Sequence, residues 1–261
     1  MISSIQNPSI KALLKLDKAH ERRKQGLFVI EGSRELSLAV AGGIVIHKLF
    51  VCEEMLSGQS LSLIRNMNVP IESISAAVFE KLAYRDGSDG IVALAVARHL
   101  SLSDIRLPAN PFVIVLEAVE KPGNLGAIMR TADAAHADAV IVCDPQTDIF
   151  NPNIIRSSVG CIFTQQIAVC TSEEAYQWMK ANKICIHAAE LSASEWYYNA
   201  DFTVPSAIVM GTEADGLTDF WLHNALSRIK IPMRGQIDSL NVSVSTAIIT
   251  FEAMRQRKFI N

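Results

Sequence analysis

Three short stretches carry polar side chains suited to chemistry. "EKPGNLGAIMR" runs from Glu120 to Arg130 and brings an amide, Asn124, and a guanidinium, Arg130. "MGTEADGL" sets Glu213 between Gly211 and Gly216. "IPMRGQIDSLN" ends in Asp238, Ser239 and Asn241 around Leu240. Such groups orient a substrate and stabilise charge. Asn241 opens a helix in which Val244, Ala247, Ile248, Phe251 and Met254 share one apolar face. One capping side chain satisfies a helix start, so Asp238, Ser239 and Asn241 exceed the structural need. Each residue alone has a plainer reading. Asn124 and Ser239 serve as helix caps, Glu213 as an exposed loop acid, Arg130 as a surface residue and Pro232 as a strand stop.

The elements that must position these residues alternate. Phe112–Val119 reads as a buried strand, followed by a KPGN turn and a helix from Leu125. Further strands read at "DAVIVCD", "QQIAVC", "KICIHAAE", "SAIVMG" and "RIKIPM", with a helix at "SEEAYQWMKAN". That alternation predicts a parallel sheet. Ligands bind beyond the carboxyl ends of such strands, and all three stretches follow one. Upstream, "GLFVIEG", "VIHKLFVC" and "GIVALAVA" read as strands, with helices at Ser9–Lys18 and "SRELSLAVAGG". The Ser-, Asp- and Pro-containing stretch from His99 to Pro111 reads as a linker. This gives a small α/β domain over 1–103, a linker over 104–111 and a larger domain over 112–261.

Composition is that of a soluble globular chain, 49% hydrophobic and 20% charged. No apolar run reaches the roughly 20 residues of a membrane helix, and the N-terminus lacks the pattern of a signal peptide. Five scattered cysteines form no CxxC pair, which predicts a reducing cytoplasm and no zinc site. Six isolated histidines offer no metal spacing, and GxGxxG, P-loop, GxSxG and HExxH motifs are all missing. Net charge is −3; residues 1–107 carry +2 and residues 108–261 carry −5. Arg22, Arg23 and Lys24 form a basic cluster in the first domain. It reads either as a solvated helix end or as a contact for phosphates.

In order and spacing, "EKPGNLGAIMRTADAA", "VMGTEADGL" and "IKIPMRGQIDSLNVSVSTAIITFE" resemble the three motifs of the SpoU/TrmH family of RNA ribose 2′-O-methyltransferases, in the SPOUT superfamily. The N-terminal region is similar to that family's substrate-binding extension, with a ribosomal-protein-like fold. The resemblance implies a deep trefoil knot in the C-terminal domain, S-adenosylmethionine as cofactor, and a homodimer with each site built across the interface. It implies cofactor contacts at Gly211, Ile231 and Leu240, and catalytic-site polar residues at Asn124, Arg130, Glu213, Ser239 and Asn241. Ser245 stands where relatives often have Ala.

The implied reaction transfers a methyl group to a ribose 2′-oxygen, with Arg130 near the reacting hydroxyl. A free guanidinium stays protonated, so Arg130 is expected to position and stabilise rather than take the proton. Ribosomal RNA is the favoured substrate, with tRNA the alternative and a non-catalytic knotted RNA-binding protein a second one. Arg22, Arg23 and Lys24 are the expected RNA contacts. A nucleotide-dependent oxidoreductase is disfavoured by the missing GxGxxG.

Overall fold

The computed structural model describes residues 1–84 and 89–259. The chain divides into two compact units. One comprises Met1–Arg98 together with Asp148–Thr164, the other His99–Thr147 together with Gln165–Asn261. Segment 148–164, which lies inside the 112–261 stretch read as one domain, clusters instead with the N-terminal residues.

The first unit contains α1 (Pro8–Lys15), α2 (Ala19–Gln25), β1 (Leu27–Glu31), α3 (Ser33–Ala41), β2 (Ile46–Val51), α4 (Gly58–Arg65), β3 (Ile71–Ser73), α5 (Ala76–Leu82) and β4 (Ile91–Val96). The sheet order is β1-β4-β2-β3, antiparallel except for β2 with β3. Asn7 caps α1 through the Ser9 amide at 2.8 Å, and Pro8 takes the first helical position, where its missing N–H costs nothing. Ile10, Leu13 and Leu16 then pack on Phe50, Val78 and Val92.

Segment 148–164 completes this unit. Its helix α7 (Pro152–Ser157) packs on β1, and Phe150 stacks on Phe28 with ring centroids 4.4 Å apart. Asp148 accepts from Arg22 Nε at 2.7 Å. Arg22 Nη1 donates to the carbonyls of Leu16 at 2.7 Å and Asp17 at 2.9 Å. Arg22 is therefore 3% exposed and is not a surface contact for RNA. The helical turn that points it inward leaves Arg23 and Lys24 outside.

The second unit contains β5 (Phe112–Glu117), α6 (Pro122–Ala135), β6 (Ala139–Cys143), β7 (Ile167–Cys170), α8 (Ser172–Ala181), β8 (Cys185–Ala189), β9 (Glu195–Trp196), β10 (Ser206–Met210), α9 (Asp219–Asn224), β11 (Ser227–Lys230) and α10 (Val242–Gln256). Its seven strands run in the order β7-β6-β5-β10-β8-β11-β9, and every pair is parallel. β5, β6 and β10 are buried at every position, which is why they read as unbroken apolar runs. Residues 104–111 are not a free linker: Ile105 is buried in this core and Leu107 packs against it, as do Leu100 and Leu102 just before.

The expected face of helix α10 is only partly covered: Met254 is buried and Ala247 and Ile248 are half-buried, but two of its members are exposed. Val242, Thr246, Ile249, Thr250 and Ala253 are buried, whereas Val244 and Phe251 are 46% and 40% exposed. Helical spacing identifies a stripe but not which side the sheet and α6 cover.

The buried Arg22–Asp148 pair predicts a stability difference within one helix. Arg22→Ala leaves a carboxylate without its cation and should destabilise by about 3–5 kcal/mol. Arg23→Ala should stay within about 0.5 kcal/mol. Chemical denaturation of both variants checks this; equal stabilities would contradict the burial of Arg22.

Candidate active site

Because all strands are parallel, β10, β8 and β11 end on one edge of the sheet, and the chain beyond each end helps to line one cavity of about 360 Å³. Gly211, Ile231 and Leu240 all line it, as do Glu190, Met233 and Ser245. The loop after β10 closes on itself: Thr212 N–H donates to Gly216 O at 3.0 Å and Gly216 N–H to Thr212 O at 3.2 Å. Gly216 turns with φ 71°, a conformation that suits glycine. Gly211 is needed for a different reason. A Cβ there would lie 2.2 Å from the carbonyl carbon and oxygen of Gly216. The loop's own backbone requires this glycine.

The far end of the loop is fixed by a residue that sequence reasoning passed over. Glu117, 3% exposed at the end of β5, accepts from Thr218 N at 2.8 Å and Thr218 Oγ1 at 2.6 Å. Ser172 sits beside it, donating to Asp144 at 2.6 Å and accepting from Trp221 Nε1 at 3.0 Å. An acid inside the apolar run FVIVLEAV was the available signal, since buried carboxylates need partners.

Within this frame Asn124, Glu213 and Asn241 meet. Glu213 Oε1 accepts from Asn124 Nδ2 at 2.9 Å and also from Asn241 Nδ2. Asn241 Nδ2 further contacts Asn124 Oδ1 at 3.1 Å. Asn241 is the cap of α10, its Oδ1 accepting from Ser243 N at 3.0 Å. Asn124 is not a cap. α6 begins at Pro122 rather than after a KPGN turn, so Asn124 lies in the first helical turn with its side chain directed at Glu213. Gly123 adopts no left-handed conformation and has open space where a Cβ would sit.

Lys121, also missed in the sequence, ion-pairs with Glu213 Oε2. This contact holds the Glu213 carboxyl below the usual carboxylate range, with smaller contributions from Asn124 and the Val242 amide. Glu213 thus stays ionised between two helix N-termini, where negative charge is favoured. A second cavity of about 100 Å³, lined by Lys121 and Asn124, shares Thr212, Glu213 and Val242 with the larger one.

Two expected residues stay apart from the cluster. Ser239 lines the larger cavity, but among the described residues its hydroxyl donates to Asp238, at 3.1 Å, and not to this cluster. Arg130 is exposed on α6 and makes no hydrogen bond or ion pair among the described residues. It lies six residues past Asn124, a rise of ~9 Å along the helix.

The fold and the site define an α/β unit with a cavity at its strand ends, and a second, mixed α/β unit. The SpoU rRNA Methylase family model matches residues 111–251, and the MRM3-like substrate binding domain matches residues 7–93. The chain belongs to the SpoU rRNA methylase family. It is 27% identical over 250 residues to the 23S rRNA (guanosine(2553)-2′-O)-methyltransferase RlmP of Bacillus subtilis, covering 96% of this chain and 97% of that one. It is 33% identical over 184 residues to the 23S rRNA (guanosine-2′-O-)-methyltransferase RlmB of Ralstonia nicotianae, covering 69% and 74% respectively. The structure of AviRb from Streptomyces viridochromogenes in complex with AdoMet aligns with a TM-score of 0.91 at 26% identity, covering 97% of this chain and 99% of that one.

The two glycines should separate by experiment. Gly211→Ala should abolish S-adenosylmethionine binding by calorimetry and lower the melting temperature, because the loop cannot admit a methyl group. Gly123→Ala should bind within about twofold of wild type and be slightly stabilised, as a compatible Gly→Ala change is. Unchanged affinity in Gly211→Ala would remove that loop from the ligand site.

Proposed function

We propose that this S-adenosylmethionine-dependent RNA 2′-O-methyltransferase acts on ribosomal RNA, with its cofactor in the larger strand-end cavity and the target ribose entering through the smaller one. The observation that carries this reading is the wall the two cavities share, with Glu213 in it. A cavity of about 360 Å³ falls in the size range of small-molecule sites, and the backbone around Gly211, Ile231 and Leu240 would hold the cofactor. S-adenosylmethionine supplies an electrophilic methyl group on its sulfur. The relatives named as 23S rRNA methyltransferases support ribosomal RNA as substrate.

The chain's own residues align and hold. Asn124 and Asn241, fixed on one oxygen of Glu213, keep the two cavities in register, and alignment supplies much of such a rate. Arg130 is read as the group that orients the ribose hydroxyl and the neighbouring phosphate, the phosphate receiving the proton. Its free, exposed guanidinium supports a role completed in an assembly. Exposed Val244 and Phe251 on α10 support a homodimer through this unit. The family resemblance supports a trefoil knot formed where the segment before α10 passes the loop after β10. Ser239 is read as a further contact in the assembled site.

The first unit is read as the RNA-gripping part. Its match to a substrate binding domain supports this, as do the exposed Arg23 and Lys24 and the neighbouring Lys11, Lys15 and Lys18. Among the described residues no helix is long and apolar enough to cross a membrane, and an rRNA substrate supports a cytoplasmic site of action.

Arg130→Ala should keep cofactor affinity and lose turnover by about 10²-fold or more. Arg130→Lys should fail as well, because a point charge does not reproduce the planar fork. Single-turnover methylation with calorimetry in parallel measures both; near-normal turnover in either variant would remove Arg130 from the reaction. Ribose-methylation mapping of 23S rRNA from cells with and without the gene tests the substrate. One position should lose its methyl group, and an unchanged map would reject ribosomal RNA.

A further inference from the structure

The first unit holds a cavity that the chemistry above does not use, about 140 Å³ against about 360 Å³ for the cofactor site. Its floor is apolar: Leu13, Leu16 and Phe50 are each at most 3% exposed. Its rim is polar. Gln25 comes from the end of α2, and His47 and Lys48 come from consecutive positions of β2. Consecutive strand residues normally point to opposite faces. Here the ladder pairs Ile46 with Ala95 and Lys48 with Leu94, leaving His47 as an inserted residue. Such a bulge re-aims side chains, and this one turns His47 into the same cavity as Lys48.

The rim groups suit a planar heteroaromatic ring. Lys48 Nζ lies 5.8 Å from the Phe50 ring centroid and is held by Glu72 at 2.6 Å. Gln25 Nε2 donates to Glu21 at 2.8 Å, which leaves its carbonyl oxygen to accept from a base edge. Next to lining residues in the chain, Lys11 precedes Ala12, Lys15 precedes Leu16 and Lys24 precedes Gln25; all three are exposed cations. A polyanionic strand crossing here would meet these cations while one base dropped onto the apolar floor.

We propose that this cavity takes a single unpaired base of the RNA substrate. The inference rests on the reading of the first unit as the RNA-binding part. Bases in a duplex stay stacked, whereas unpaired ones can be splayed into pockets, so the first unit would select single-stranded or looped RNA.

The test uses the full-length protein and a short single-stranded RNA carrying 2-aminopurine, alone and annealed to its complement. Stacking tolerates sequence, so the natural target is not required. Ala12→Phe fills the cavity from an exposed helical position and removes no charge. It should bind the single strand about tenfold more weakly, the order of one stacked base, with an unchanged salt slope and no 2-aminopurine response. Its duplex binding should match wild type. A second variant, Lys15→Ala/Arg23→Ala/Lys24→Ala, should weaken both RNAs and flatten the salt slope by about one unit for each phosphate no longer neutralised. Wild-type single-strand binding by Ala12→Phe, with the charge variant impaired, overturns the base pocket and leaves the RNA-binding unit standing. If neither variant changes, the RNA-binding reading itself fails. Should Ala12→Phe not fold, Gln25→Ala/His47→Ala carries the test: a several-fold loss supports the pocket, and a wild-type response overturns it.

Discussion

One carboxylate oxygen organises the C-terminal unit. Glu213 Oε1 accepts from both Asn124 and Asn241, so a loop after β10, the first turn of α6 and the cap of α10 share a single acceptor. These segments are far apart in sequence, and each has its own anchor. The loop is shaped by Gly211 lying against Gly216 and is fixed at Thr218 by Glu117. α6 packs on α10, which keeps their N-termini together. The parallel sheet makes the meeting possible by bringing the strand ends to one edge. Lys121 on the second oxygen keeps the acceptor ionised. The pair is exposed on the lysine side, so it adds little to overall stability; its consequence is the charge state of the wall between the two cavities.

The first unit follows a different logic. A buried ion pair, Arg22 with Asp148, and a stacked pair, Phe28 with Phe150, fasten segment 148–164 of the chain into it. A fragment lacking the first hundred residues would therefore leave Asp148 without Arg22, and Phe150 and Phe163 without Phe28. The two units are separate as compact bodies but not as stretches of sequence.

Much of this was legible from the amino-acid sequence. Buried parallel strands announce themselves as apolar runs, and β5, β6 and β10 are legible in that way. Glycine and polar residues after strand ends located the cavity that Gly211, Ile231 and Leu240 line. What stayed hidden depends on tertiary context. β3 and the two-residue β9 are too short to carry a period. Periodicity gave α10 an apolar stripe, yet the buried side also carries Thr246 and Thr250, while Val244 and Phe251 of the stripe are exposed. A basic run cannot reveal which of its members turns inward, so Arg22 read like Arg23. Asn124 looked like a cap because Pro-Gly commonly marks a turn, but Pro122 is equally at home as a first helical residue. Lys121 and Glu117 gain meaning only from partners about ninety and a hundred positions away.

The shared acceptor has a direct thermodynamic consequence. If Asn124 and Asn241 act through one oxygen of Glu213, removing either disrupts the same arrangement, and their effects cannot be independent. A double-mutant cycle of Asn124→Ala and Asn241→Ala, read as single-turnover methyl transfer, measures this. Strong non-additivity is expected, with the double variant scarcely slower than the slower single variant. Losses that simply multiply would mean that the two amides act separately and that Glu213 does not unite the site.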